Sequence, residues 1–196
     1  MRPARSAGWL LLAGALLGCA SGAAPSASAL PCASPVPAPG RLRLALPPES
    51  FGRTLSVQQQ LHITASGHAV DLDAVLEITP ATLTLVAMEF GQRVLTLRFA
   101  NGALCEQRSA KLPAEVRGAD ILTDLQLALW PADAVRSSLP SGWVLAEDSA
   151  RRVLTHNGRE METVTYSGPT RWEGRITLQN VAYDYALVIQ SVVTAP

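Results

Sequence analysis

The stretch "ADILTDLQLALWP", residues 119–131, interrupts a chain that otherwise alternates apolar and polar residues. Ile121, Leu125, Ala128 and Leu129 recur at helical spacing and form one apolar face. Asp120 is placed to cap the start of this helix. Pro131 stops it and opens a second short helix over Ala132–Ser138, which Pro140 and Gly142 close. Leu122, Leu125, Leu127, Leu129 and Trp130 give the first helix more apolar surface than one core-facing stripe needs. A buried helix explains each residue singly. Together they suit a lid that touches a core on one side and a lipid-like cargo on the other.

Strands lie on both sides of this insert. Leu55, Val57, Leu61 and Ile63 alternate with Ser56, Gln58, Gln60 and His62, the period of a half-buried strand. Gly67 turns the chain, and Val70 to Ile78 repeats the pattern until Pro80. Leu83 to Ala87, Val94 to Phe99 and Ala103 to Arg108 follow, separated by Gly91 and by the hairpin signal Asn101-Gly102. After the helices come Trp143–Glu147, Arg151–His156, Glu160–Ser167, Arg171–Gln179 and Tyr183–Val192, with a second Asn-Gly turn at Asn157-Gly158. This order predicts an α+β fold: a curved antiparallel sheet, an unclosed half-barrel, with the helical insert covering its concave face. A closed outer-membrane barrel is disfavoured because the insert breaks the meander.

The N-terminus reads differently. Arg2 and Arg5 precede the apolar run Gly8 to Gly18, too short to span a bilayer as a helix. Leu16-Leu17-Gly18-Cys19 resembles a bacterial lipoprotein signal, which implies removal of residues 1–18 and acylation of Cys19 with diacylglycerol and a fatty acid such as palmitate. Two or more acyl chains anchor a protein stably. Ala20, where an aspartate would favour inner-membrane retention in proteobacterial lipoproteins, implies the outer membrane, with the domain in the periplasm. Of residues 20–40, 18 are Ala, Ser, Pro or Gly, so 19–40 reads as the lipidated cysteine and a tether that cannot build a core. Residues 41–196 then form a single domain. Cys32 and Cys105 either form a disulfide or remain two free thiols.

Of the 16 basic residues, two precede Cys19, which leaves 14 against 16 acidic residues. No basic stripe points to nucleic acid. His62, His68 and His156 sit in no metal-ligand pattern, and no nucleophile elbow or phosphate-binding loop is present. Asp120, Asp124 and Asp133 lie close along the insert. Asp120 reads as a cap, Asp124 as the polar side of its helix, and Asp133 as a first-turn residue. No enzyme, metal or cofactor is expected.

"LTDLQLALWP" at 122–131, "GW" at 142–143, Tyr166, "WEGRITLQN" at 172–180 and "YDYALVIQS" at 183–191 together resemble the DUF3261 family of bacterial lipoproteins, with "LSVQQQLHI" and "FGQRVLTLRF" in the same pattern. The resemblance spans roughly residues 50 to 192 and implies kinship with LolA/LolB-like proteins, whose half-barrel binds the acyl chains of lipoproteins. The family's association with aryl polyene and fatty-acid-like synthesis implies a lipid-like cargo. LolB-type receptors insert an apolar loop into the membrane. Here the turn Glu89–Gln92 offers only Phe90, which reads as a strand-end residue. The expectation is a membrane-anchored protein that binds or transfers an acyl-bearing ligand. Leu122, Leu125, Leu129, Trp130, Trp143, Tyr166 and Trp172 are its candidate cavity and lid residues. The alternative is an assembly lipoprotein that holds a periplasmic or outer-membrane protein partner and has no lipid cavity.

Overall fold

The computed structural model describes residues 30–33, 41–113 and 116–195. The signal segment, Cys19 and most of the expected tether lie outside these residues. The strands are β1 (Cys32–Ala33), β2 (Leu55–Ala65), β3 (His68–Ile78), β4 (Leu83–Glu89), β5 (Gln92–Ala100), β6 (Ala103–Arg108), β7 (Trp143–Glu147), β8 (Arg151–His156), β9 (Arg159–Thr170), β10 (Glu173–Asn180) and β11 (Tyr185–Ala195). Two helices, α1 (Gly118–Leu129) and α2 (Ala132–Ser138), separate β6 from β7, and a 3-10 turn spans Pro48–Phe51.

All the strands belong to one antiparallel sheet in the order β1-β6-β5-β4-β3-β2-β11-β10-β9-β8-β7. The first long strand therefore pairs with the last. Leu61 lies opposite Ile189, and Ile63 opposite Leu187. This pairing joins the two meanders into a single curved surface with β1 and β7 as its free edges, so the half-barrel stays unclosed.

Tight turns set the register of the hairpins. Ser66-Gly67, Phe90-Gly91, Asn101-Gly102 and Asn157-Gly158 each place two successive residues at positive φ. That geometry matches the twist of the flanking strands. Asn and Gly adopt it readily. Phe90, at φ 49°, does not, and its side chain is 98% exposed. No packing offsets that strain.

Val57, Leu76, Ile78, Leu83 and Phe99 line the covered face of the sheet and are fully buried. Helix α1 lies over them. Its start is not capped by Asp120: the N-cap residue is Arg117, with no side-chain bond. The Gly118 N–H donates instead to Glu106 Oε2 of β6 at 3.3 Å. A Cβ there would come within 2.6 Å of Leu97 Cδ2 and 2.7 Å of Glu106 Oε2, so a larger residue would have to shift those side chains. Asp120 serves another purpose. It accepts from Arg41 at 2.5 Å and from Arg43, both on the segment before the 3-10 turn.

That segment, residues 41–47, forms an extended strap along α1 with no strand partner. Leu44 N–H donates to Thr123 Oγ1 at 3.2 Å and Leu46 N–H to Gln126 Oε1 at 2.9 Å; Gln126 Nε2 donates back to Leu46 O at 2.8 Å. Leu42, Leu44 and Leu46 alternate into the core. The strap is thus bonded along the Asp120, Thr123 and Gln126 line of α1, and its leucines join the same core as the helix. Upstream, Cys32 sits opposite Cys105 in the β1–β6 pair and is disulfide-bonded to it. This short strand covers part of the β6 edge.

Candidate functional site

The C-terminal end of α1 is held by buried polar groups from the sheet. Arg152 of β8, fully buried, donates to Leu127 O and, at 2.7 Å, to Trp130 O. Tyr166 donates to Ala128 O at 2.7 Å. These are carbonyls that a helix end leaves without intrahelical partners. Glu147 accepts from Arg152 at 3.2 Å and from Arg171, so the buried guanidinium has a counter-charge. Burial lowers the Arg152 pKa and pushes the Tyr166 hydroxyl up to about 12.

The candidate lid residues occupy a filled interior. Leu122 and Trp130 are fully buried, and Leu125 and Leu129 are nearly so. Trp130 Nε1 donates to Ser50 Oγ at 2.9 Å, and its ring lies 5.0 Å from that of Phe51. Trp172 packs edge-on against Phe51 at 6.3 Å and lies under the Arg53 guanidinium. In this conformation Leu122, Leu125, Leu129, Trp130, Tyr166 and Trp172 therefore build the joint between cover and sheet, because the strap takes the space beside α1. Trp143 alone of the seven lines a crevice, stacked on His156 at 4.4 Å.

This crevice opens beside the N-terminal half of α1, with a cavity of about 30 Å³, room for one water-sized group. Its walls include Leu42, Leu154, Met161 and Trp143, and its polar groups come from the strap and four other elements: Arg41 and Arg43 of the strap, Asp120 and Asp124 of α1, Glu162 of β9, Asn180 of β10 and Tyr185 of β11. Tyr185 donates to Asp124 Oδ2 at 2.7 Å. Asn180 Nδ2 donates to Glu162 Oε2 at 2.8 Å and reaches the Tyr185 hydroxyl at 3.3 Å. Burial raises the Asp124 pKa to about 7, the nearby Asp120 carboxylate adding to the effect and the Tyr185 hydrogen bond opposing it. Burial, then the charge of Asp124, raises Glu162 well above the ordinary range. The helix periodicity that assigns Asp124 to a wet face is thus overridden: the β9–β11 strands close over that side of α1.

A broader open depression of about 380 Å³ lies between the Thr64–Gly67 turn and the β10–β11 connection, lined largely by polar and small residues. Among the described residues no group of three or more His, Cys, Asp or Glu side chains is arranged to hold a metal ion. No helix is long and apolar enough to cross a membrane, again among the described residues. His62 pairs with Asp71 at 2.6 Å on the exposed face of the sheet, and Asp133 with Arg136 at 2.9 Å on α2.

A family model described as "Protein of unknown function (DUF3261)" matches residues 56–193. No curated protein matches. Among solved structures the chain is similar to a crystal structure of a LolA superfamily protein from Nitrosomonas europaea, with 10% identity over 78% of this chain and 92% of that one, at a TM-score of 0.35.

Proposed function

This chain belongs to the DUF3261 family, and from that premise we propose that it binds or transfers a hydrophobic, acyl-bearing molecule between the half-barrel and its helical cover. The observation that carries the reading is the strap. An aliphatic, extended segment lies against α1 without belonging to the sheet, held by Thr123, Gln126 and Asp120. An acyl chain is the ligand whose chemistry matches what that segment supplies.

The magnitudes suit an exchange. Exposing Leu42, Leu44 and Leu46 costs about 1.5–3 kcal/mol each, roughly 5–9 kcal/mol in all. A chain of about 14 methylenes returns about 11 kcal/mol at roughly 0.8 kcal/mol per group. The balance favours cargo modestly, as a carrier that must release its ligand requires. The reading extends to a non-enzymatic protein anchored through lipidated Cys19 at the periplasmic face of the outer membrane. Its support there is the Gly8–Cys19 sequence. The cargo is either a lipoprotein's acyl chains or a fatty-acid-like or aryl polyene lipid.

The filled interior favours a second reading, an assembly lipoprotein that binds a protein partner through exposed groups such as Phe90, Val144, Val181 and Val192. Titration with a fluorescent fatty acid separates the two. The carrier should show saturable binding, displaced by unlabelled palmitate and tighter in the Leu44→Ala/Leu46→Ala variant, whose strap leaves more readily. Absence of saturable binding in both proteins, with capture of one defined protein partner, would establish the second reading.

A further inference from the structure

Two polar atoms among the crevice-lining residues have no hydrogen-bond partner among the described residues, and they carry opposite character: Glu162 Oε1 and Arg43 Nε. Glu162 is 4% exposed, and the Arg43 side chain 5%. Buried polar atoms of native proteins are nearly always paired, and these two belong to residues that line one crevice, where a ligand supplying both a donor and an acceptor would satisfy them.

The charges agree. On one side Arg41 and Arg43 share the single carboxylate of Asp120. On the other, the bonded neighbours of Asp124 and Glu162 among the described residues are the Tyr185 hydroxyl and the Asn180 amide. Arg41 and Arg43 also act on Asp124, so one positive charge is in excess while Asp124 is protonated, and the two carboxyls hold negative capacity. Arg41 also lies 3.5 Å from the Tyr183 ring centroid, which holds it at the crevice.

We propose that this crevice binds a zwitterionic ligand, its primary ammonium donating to Glu162 and Asp124 and its neighbouring anionic group accepting from Arg43 and Arg41. The small inner cavity admits an NH3 group and excludes a trimethylammonium, which is larger and has no N–H to donate. Leu42, Leu154 and Met161 line the remainder of the crevice and suit a short aliphatic link between the two charges. A phosphoethanolamine has this chemistry, whether free or as a lipid headgroup. The site does not depend on the acyl reading, since a soluble headgroup tests it without a chain.

Burial shifts both carboxyls toward their protonated forms, Asp124 to about 7 and Glu162 well above the ordinary range. An arriving ammonium takes the place of a proton on the pair, and that proton passes to the buffer.

The test is calorimetric titration of the full chain near neutral pH, in two buffers of different ionisation enthalpy. O-phosphoethanolamine should bind with a buffer-dependent heat that reports proton release. Ethanolamine, lacking the anion, should bind at least about tenfold more weakly, and phosphocholine not at all. Glu162→Gln keeps an acceptor for Asn180 and should weaken binding about tenfold or more; Asp124→Asn is the second variant, in case the first misfolds. Sedimentation with phosphatidylcholine vesicles, with and without a phosphoethanolamine lipid, identifies the source. Selective capture by the latter marks a headgroup site, and soluble binding alone marks a free metabolite. No binding of O-phosphoethanolamine to folded wild-type protein would overturn the proposal, as would equal binding of phosphocholine or an unchanged affinity in both variants. A failed fatty-acid titration would leave this result untouched.

Discussion

Raising the pH from about 5 to about 7 should destabilise the wild-type protein relative to Asp124→Asn. In the unfolded chain Asp124 is ionised throughout this range, its ordinary value being 3.8; in the folded protein burial raises it to about 7. Over that window the native state holds a proton that the unfolded state has released. Stability then falls with pH at about 1.4 kcal/mol per unit for each proton retained. It is greatest below about pH 4, where both states are protonated, and levels off above about pH 7, where both are ionised. Between about pH 5 and 7 the Asp124 contribution amounts to about 2–3 kcal/mol. Asparagine still accepts from the Tyr185 hydroxyl but cannot ionise, so its curve lacks this slope. Urea unfolding at intervals of one pH unit, followed by the fluorescence of buried Trp130, gives both curves. A wild-type-minus-variant difference that stays flat or rises with pH would refute the argument that the Asp124 carboxyl is buried without adequate counter-charge.

Three further outcomes follow from the packing. Arg152→Met should cost about 3–5 kcal/mol in urea unfolding, because it strips Leu127 O and Trp130 O of their donor while leaving Glu147 with Arg171 alone. Replacing Cys32 and Cys105 together by serine should lower stability by about 4 kcal/mol, the loop-closure term for their sequence separation of 73, as measured against the oxidised wild type. Phe90→Asn should raise the melting temperature by a few degrees, equivalent to about 0.5–1 kcal/mol, because asparagine tolerates the left-handed turn position. If the exposed ring serves a membrane or partner surface, the same variant should lose vesicle or partner association in a pull-down, and retained association would assign Phe90 no role there.

The strands and both helices were legible because each buries one face, and period two or 3.6 records that directly. The polar interior was not, and particular residues show why. Arg152 stands in an alternating strand where arginine reads as solvent-facing, yet it is fully buried because α1 lays its carbonyl end on that side of β8. Glu162 falls where the β8–β9 register shifts near Leu154 and Thr155, so successive residues from Glu162 to Val164 are buried and simple alternation fails. Asp124 meets Tyr185 from 61 residues away. Pattern registers the cost of burying a charge at each position, but not the distant partner that offsets it.

The strap is a different case. Alternate leucines in "RLRLALP" at 41–47 carry the period of a strand, the signal by which the segment can be found, but it has no neighbour in the sheet. Its partner is a helix, and it is joined through Thr123 and Gln126 side chains instead of a backbone ladder. Because Leu42, Leu44 and Leu46 fill the same core as α1, excess apolar surface on the helix is no longer evidence of an empty cavity. Under the proposed acyl reading the relation is competition, with the cargo displacing Leu42, Leu44 and Leu46. On that reading the Arg41 and Arg43 pairs to Asp120, at the edge of the polar crevice, are the contacts that would have to break.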